Sequence, residues 1–215
     1  MTHPVVTDPV VIGVSIAVPE PYASAIQDAR AGFGDPLARS IPTHVTLLPP
    51  TEVPAASMDA VERHLAAAAA RHRPFRMLLH GSGTFRPVSP VVFLRVEAGV
   101  RECRAVEASI RSGLLARELN FPYHPHVTVA HAVADPALDR AHEELRGYRV
   151  EFQVAGFSLY RFGADEVWRP LRGYSFDASG SADTGTGSAG TGSAGTGTTA
   201  GRRLADSRAN DITPR

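Results

Sequence analysis

Tyr123-His124-Pro125-His126-Val127-Thr128-Val129-Ala130-His131 decides the reading of this chain, because its centre has a near copy upstream in Pro42-Thr43-His44-Val45-Thr46-Leu47-Leu48-Pro49. Each copy reads His-x-Thr followed by apolar residues. In an extended strand, side chains i and i+2 share a face and stand roughly 6.5 to 7 Å apart, so each copy presents an imidazole beside a hydroxyl. Two such strands supply two histidines and two hydroxyls to one cleft, a set suited to acid–base work on a phosphate.

Outward from these copies the chain repeats one order of elements. The β-branched run 9–18 reads as a strand, 20–33 carries apolar residues at helical intervals and closes at Gly34, and 41–48 is the first His-x-Thr strand, stopped by Pro49-Pro50. Next come an Ala-rich helix over 57–72 with Ser57 as its N-cap, then a strand over 75–80 loosened by Gly81-Ser82-Gly83. The second pass has a strand at 91–96, a long helix over 99–119 and the second His-x-Thr strand at 125–130. A helix over 135–146 follows, with Asp135 as cap and Pro136 in its first turn, then strands at 149–161 and 167–176. This order predicts an internal duplication with lobes at about 9–83 and 90–176, each a layer of helices on a sheet. A pseudo-twofold axis between them would bring His44 and His126, 82 residues apart, across one groove.

Composition excludes several function classes. From Ala178 the sequence turns to Gly, Thr, Ser and Ala, too little apolar surface to offset ordering entropy, so 178–215 is expected to be a flexible tail and 1–177 the folded domain. Formal net charge is zero, and the tail's four Arg against three Asp leave the rest close to neutral. That argues against an extended, sequence-independent nucleic-acid binder, while leaving room for recognition of one terminal phosphate. All 22 basic residues are arginine, so there is no Walker lysine, no Schiff-base lysine and no lysine to carry an adenylate. The single cysteine, Cys103, has no internal disulfide partner and lies in a helical stretch, which points to apolar packing. Ala23-Ser24-Ala25 resembles a signal-peptidase site, yet the segment before it holds Asp8 and no Arg or Lys, so Val10–Val18 reads as a buried strand. No apolar run reaches bilayer length. The expectation is a cytoplasmic monomer without a membrane or a stable protein partner.

His44-Val45-Thr46-Leu47 and His126-Val127-Thr128-Val129 resemble the paired His-x-Thr/Ser-apolar signatures of the 2H phosphoesterase superfamily, in particular its bacterial 2′-5′ RNA ligase-like and cyclic phosphodiesterase branch. The resemblance covers roughly residues 10–176. A lone His-x-Thr recurs by chance, whereas two in equivalent places of a duplicated order are specific. The resemblance implies an α+β fold of two lobes, with mostly antiparallel sheets facing a central cleft and helices outside. It implies action on small cyclic phosphates or RNA 2′,3′-cyclic phosphate ends, with ATP-independent 2′-5′ joining as the reverse reaction and no metal or cofactor. His44 and His126 then serve as general acid and base, in an order set by substrate orientation, and Thr46 and Thr128 donate to the non-bridging phosphate oxygens.

Four neighbours are further substrate-binding candidates. Tyr123 and Phe85 are suited to stack on a nucleobase and Arg86 to grip a phosphate, with ordinary rim or core packing as the competing reading of these three; His124 shares the face of His126, with a solvated or capping role as its competing reading. His131 falls on the opposite face. Two other functions compete. His124-x-His126 with His131 offers three potential metal ligands, although alternation turns His131 away and no Asp or Glu falls between Tyr123 and His131. A non-catalytic RNA-end or nucleotide-binding module would keep the fold without needing two proton-transfer groups.

Overall fold

Val10, Val11, Ile12, Val14 and Ile16 make the first strand, β1 (Pro9–Ala17), because β-branched side chains suit a pleated, half-buried surface. The computed structural model describes residues 9–177, so the expected tail lies outside the described residues. After β1 the order is α1 (Tyr22–Phe33), β2 (His44–Pro54), α2 (Met58–Ala69), β3 (Phe75–Thr84), β4 (Val92–Ala98), α3 (Val100–Ile110), β5 (His126–Ala130), α4 (Asp135–Glu144), β6 (Arg149–Val154), β7 (Gly156–Phe162) and β8 (Trp168–Ser175). The strands form two four-stranded antiparallel sheets, ordered β2-β1-β7-β8 and β5-β4-β3-β6. The molecule is thus α+β, with each His-x-Thr strand at the edge of its own sheet.

The sheets do not coincide with the sequence halves 9–83 and 90–176. β3 pairs with β4 and β6 in the second sheet, and β7 and β8 join β1 in the first. The expected single strand over 149–161 is therefore two strands broken at Ala155, where the chain leaves one sheet for the other. β2 runs on through Pro49-Pro50 because an edge strand can spare the donors that proline lacks. β3 likewise continues through Gly81-Ser82-Gly83, taking up a bulge between Leu79 and Ser82. The long helix over 99–119 stops at Ile110: Gly113 adopts φ 55°, a left-handed conformation no helix can continue, and a short 3-10 turn follows. Ser57 occupies its cap position without a side-chain capping bond, and Asp135 lies in the first turn of α4 with Ala134 at the cap.

Alternation fixes which face of its strand each side chain occupies. On β2, Val45 and Leu47 are buried while His44 and Thr46 lie on the other face; on β5, Val127 and Val129 are buried opposite His126 and Thr128. Burying one such aliphatic side chain contributes about 1.5–3 kcal/mol. A one-residue slip would exchange the two sets, so the register that builds the core also presents the histidines. α4 packs on the second sheet through Leu138 and Ala141, α2 against β8, and β2 lies against β5 along the seam between the sheets.

Candidate functional site

His44 and His126 occupy equivalent places beside this seam, each at the first residue of its edge strand. Their rings are fixed in the same way. His44 Nδ1 lies 2.6 Å from the Pro42 carbonyl and His126 Nδ1 2.7 Å from the His124 carbonyl, in each case the residue two positions back. A carbonyl only accepts, so Nδ1 carries the proton and Nε2 is left as the basic nitrogen. Burial pushes both imidazoles down to about 4. Nearby Arg30 lowers His44 further, and the charges of His124 and His44 lower His126, so the two motif histidines lie within electrostatic reach of one another.

The threonines complete the repeat. Thr46 Oγ1 lies 3.2 Å from His44 Nε2, and with that nitrogen unprotonated the hydroxyl is the donor. Thr128 shares the face of His126 and is 3% exposed. Across from Thr46 in register is Ser15, then Ser158 on β7, with Tyr160 two residues further on the same face of β7. This hydroxyl floor escaped the sequence reading, since Ser15 is one polar residue within an apolar strand.

Cross-links between distant segments hold the two motifs in place. Ahead of His44, Gln27 Nε2 and Arg30 Nη1 both donate to the Ile41 carbonyl at 3.1 Å, and Thr43 Oγ1 bonds Gln27 Oε1 at 2.8 Å. These tie the loop whose Pro42 carbonyl orients the ring. β5 is fastened at both ends to the first half of the chain: Tyr123 Oη donates to the Thr46 carbonyl at 2.9 Å, and the His131 backbone N–H to Asp35 Oδ2 at 3.3 Å. Asp35 is itself buried 3.9 Å from the Arg30 guanidinium.

The four secondary candidates divide. Phe85 lies on the wall beside His126, with ring centroids 5.0 Å apart, and His124 joins it at 5.5 Å. Tyr123 does not offer a free stacking face at the rim, because its phenol is engaged on β2 and burial holds its hydroxyl well above the usual range. Arg86 is committed elsewhere: its guanidinium bonds Asp139 at 2.6 Å and Asp135 at 3.4 Å, both on α4. Phe93 and Arg95 on β4 were missed. In register they stand opposite Thr128 and His126, on the same face, and the Phe93 ring packs 4.3 Å from Phe85 and 5.2 Å from His126. Gly83 makes room for that ring, since a Cβ there would sit 2.6 Å from Phe93 Cε2. The signal available in the sequence was an arginine inside the apolar run Val91–Val96.

The three histidines of the metal reading do not assemble. His124 and His126 have centroids 6.0 Å apart, His131 sits by Asp35, and no group of three or more His, Cys, Asp or Glu suited to a metal ion occurs among the described residues.

A family model for the 2′-5′ RNA ligase superfamily matches residues 18–166. The chain belongs to that superfamily. Among proteins similar to this superfamily member, one from Bacillus cytotoxicus, named only provisionally as a phosphoesterase, is 29% identical over 113 residues, 51% of this chain and 65% of that protein. One from Bacillus cereus, named in the same way, is 28% identical over the same shares. The match thus spans a little under two thirds of these relatives. Escherichia coli LigT solved with phosphate has TM-score 0.56 and 26% identity, covering 79% of this chain and 99% of that one. LigT solved with 3′-AMP has TM-score 0.57 over the same shares, and at 24% identity that likeness speaks to the fold alone. No helix among the described residues is long and apolar enough to cross a membrane.

Proposed function

We propose that the protein is a metal-independent phosphodiesterase acting on ribose cyclic phosphates, either 2′,3′-cyclic nucleotides or RNA ends. The observation that carries this reading is the duplicated ring geometry: each motif histidine donates Nδ1–H to the carbonyl two residues back and offers Nε2 with a threonine on the same face. One Nε2 takes a proton from water as its oxygen bonds to phosphorus. The other imidazole, protonated, gives its proton to the ribose oxygen as the old P–O bond breaks, leaving a phosphate monoester and a free hydroxyl. Thr46 and Thr128 donate to the non-bridging oxygens as charge builds on them. With a ribose 5′-hydroxyl in place of water, the same sequence forms its P–O bond, breaks the ring bond to the 3′-oxygen, which takes the proton, and joins RNA ends through a 2′-5′ linkage without ATP. The phosphate in a LigT structure 26% identical to this chain supports a phosphate-bearing ligand here. The protein is expected to act in the cytoplasm as a monomer.

Turnover of 2′,3′-cyclic nucleotides, assayed with and without EDTA, tests the proposal. Activity unchanged by chelation is the expected result; activity abolished by EDTA would favour a metal site, and turnover of no cyclic nucleotide a binding module.

The low imidazole values make a second, pH-dependent prediction. Both histidines are neutral at pH 7 in the free protein, whereas the mechanism needs one protonated. The negative charge of a bound phosphate favours protonation of its neighbour, so binding of a nucleoside 3′-phosphate at pH 6 should take up a proton. Calorimetry in two buffers of different ionisation enthalpy reads that uptake as a difference in heat, and equal heats would contradict it. For folding the sign is the opposite of a stabilising histidine. Each ring has a folded value near 4 against about 6.5 unfolded, so the unfolded chain binds more protons between those values. Stability from these groups is complete above pH 6.5 and declines as pH falls towards 4.

A further inference from the structure

Several arginines near the seam are already engaged. Arg30 pairs with Asp35, Arg86 with Asp135 and Asp139, and Arg117 donates to the Pro50 carbonyl and the Thr51 hydroxyl. Arg95 is exposed, and among the described residues no carboxylate or carbonyl pairs with its guanidinium. It stands opposite His126 in the β4–β5 register, so the two side chains leave the sheet on one face with Cβ atoms about 5 Å apart. Its Nε leans over Gly83, 3.2 Å from where a Cβ would be, alongside the Phe93 ring. A planar, permanently charged donor thus stands at the β3 side of the Phe85–Phe93 wall, on the same face of the sheet as His126 but displaced from it across β4. A guanidinium in that position suits a second anionic group, which it can hold through two parallel hydrogen bonds.

We propose that Arg95 binds a second phosphate of the substrate, one nucleotide away from the phosphate attacked between the histidines. The substrate class is then an oligonucleotide end, or a nucleotide carrying a further phosphate, in preference to a cyclic mononucleotide with only one. This rests on the acid–base reading of His44 and His126. It also fits the near-neutral chain, which suits a short end carrying one additional phosphate more than a long RNA track.

The test compares kcat/KM for a dinucleotide ending in a 2′,3′-cyclic phosphate with that for the corresponding cyclic mononucleotide. Wild-type protein should prefer the dinucleotide. Arg95→Gln should erode that preference about tenfold, Arg95→Lys should restore part of it, and Arg73→Gln, which removes an equal charge from an exposed position at the far end of β3, should leave the ratio alone. A wild type without preference, a ratio unmoved in Arg95→Gln, or an equal drop in Arg73→Gln overturns the proposal. Equal losses on both substrates would mean that Arg95 serves the reacting phosphate, which overturns it too. Equilibrium binding of adenosine 3′,5′-bisphosphate against adenosine 3′-monophosphate separates this proposal from the one beneath it. Should the wild type turn over neither cyclic substrate, the acid–base reading fails. A bisphosphate preference lost in Arg95→Gln would still support the second phosphate subsite, and equal binding of the two ligands would refute it.

Discussion

Turnover of a 2′,3′-cyclic nucleotide is expected to fall at least about a hundredfold when either His44 or His126 is replaced by alanine. The size follows from what one proton-transfer group contributes when it is positioned within hydrogen-bond reach. Both substitutions should leave a folded protein. The rings sit on the face away from the Val45–Leu47 and Val127–Val129 core, so their removal opens the seam side and leaves the core packing intact. A specific check on folding comes from the depressed imidazole values. Each histidine costs stability below pH 6.5, so either alanine variant should lose less of its urea midpoint between pH 7.5 and pH 5 than the wild type does. A well-folded variant that kept wild-type turnover would sink the assignment of that histidine. Single-site losses should also not add in the double variant, because the two rings act in one step.

Valine at Thr46 or Thr128 should lower kcat by about a hundredfold, with KM changing far less. Valine keeps the branched shape and removes only the hydroxyl. At Thr128, 3% exposed, the packing volume is preserved, so a loss of rate is a loss of the donor. At Thr46 the hydroxyl has two partners in turn. It donates to His44 Nε2 while that ring is neutral, and it becomes free to donate to a phosphate oxygen once Nε2 is protonated. Thr46→Val therefore removes a phosphate donor and also leaves the His44 ring held only through Nδ1. Steady-state kinetics on one cyclic nucleotide, with stability measured alongside, decides the matter: a rise in KM at constant kcat would make the threonines ground-state binders, and no change in either would remove them from the site.

The motif and its geometry were legible because a strand has a period of two. Reading His-x-Thr at 44–46 and 126–128 as strand already puts imidazole and hydroxyl on one face and the valine between them in the core, and both strands bear that out. Element order was legible for the same kind of local reason. The strand ends were not: Pro49-Pro50 stops a strand only if both its edges are paired, and whether β2 has a free edge is a property of the sheet. Arg86 illustrates the limit for side chains. Its type suits a phosphate, but its partners Asp135 and Asp139 lie 49 and 53 residues further on, and only folding brings them near. Tyr123 met the same fate through the Thr46 carbonyl, 77 residues back.

Local alternation and the doubled order of elements determined, from the sequence alone, that two imidazole–hydroxyl pairs exist; the paired motifs carried the resemblance to the 2H phosphoesterase superfamily, in a chain without a lysine for adenylate chemistry. Tertiary structure alone decided how the pairs are brought together: β3 and β7-β8 change sheets, and Tyr123 and His131 fasten the second motif strand to Thr46 and Asp35. It also decided that Arg95 shares the face of His126. The reason is physical. Backbone sterics and side-chain periodicity act over a few residues, so they can be read in order, whereas pairing partners, register and the neutralising of charges depend on contacts between segments that only the packed chain brings within reach.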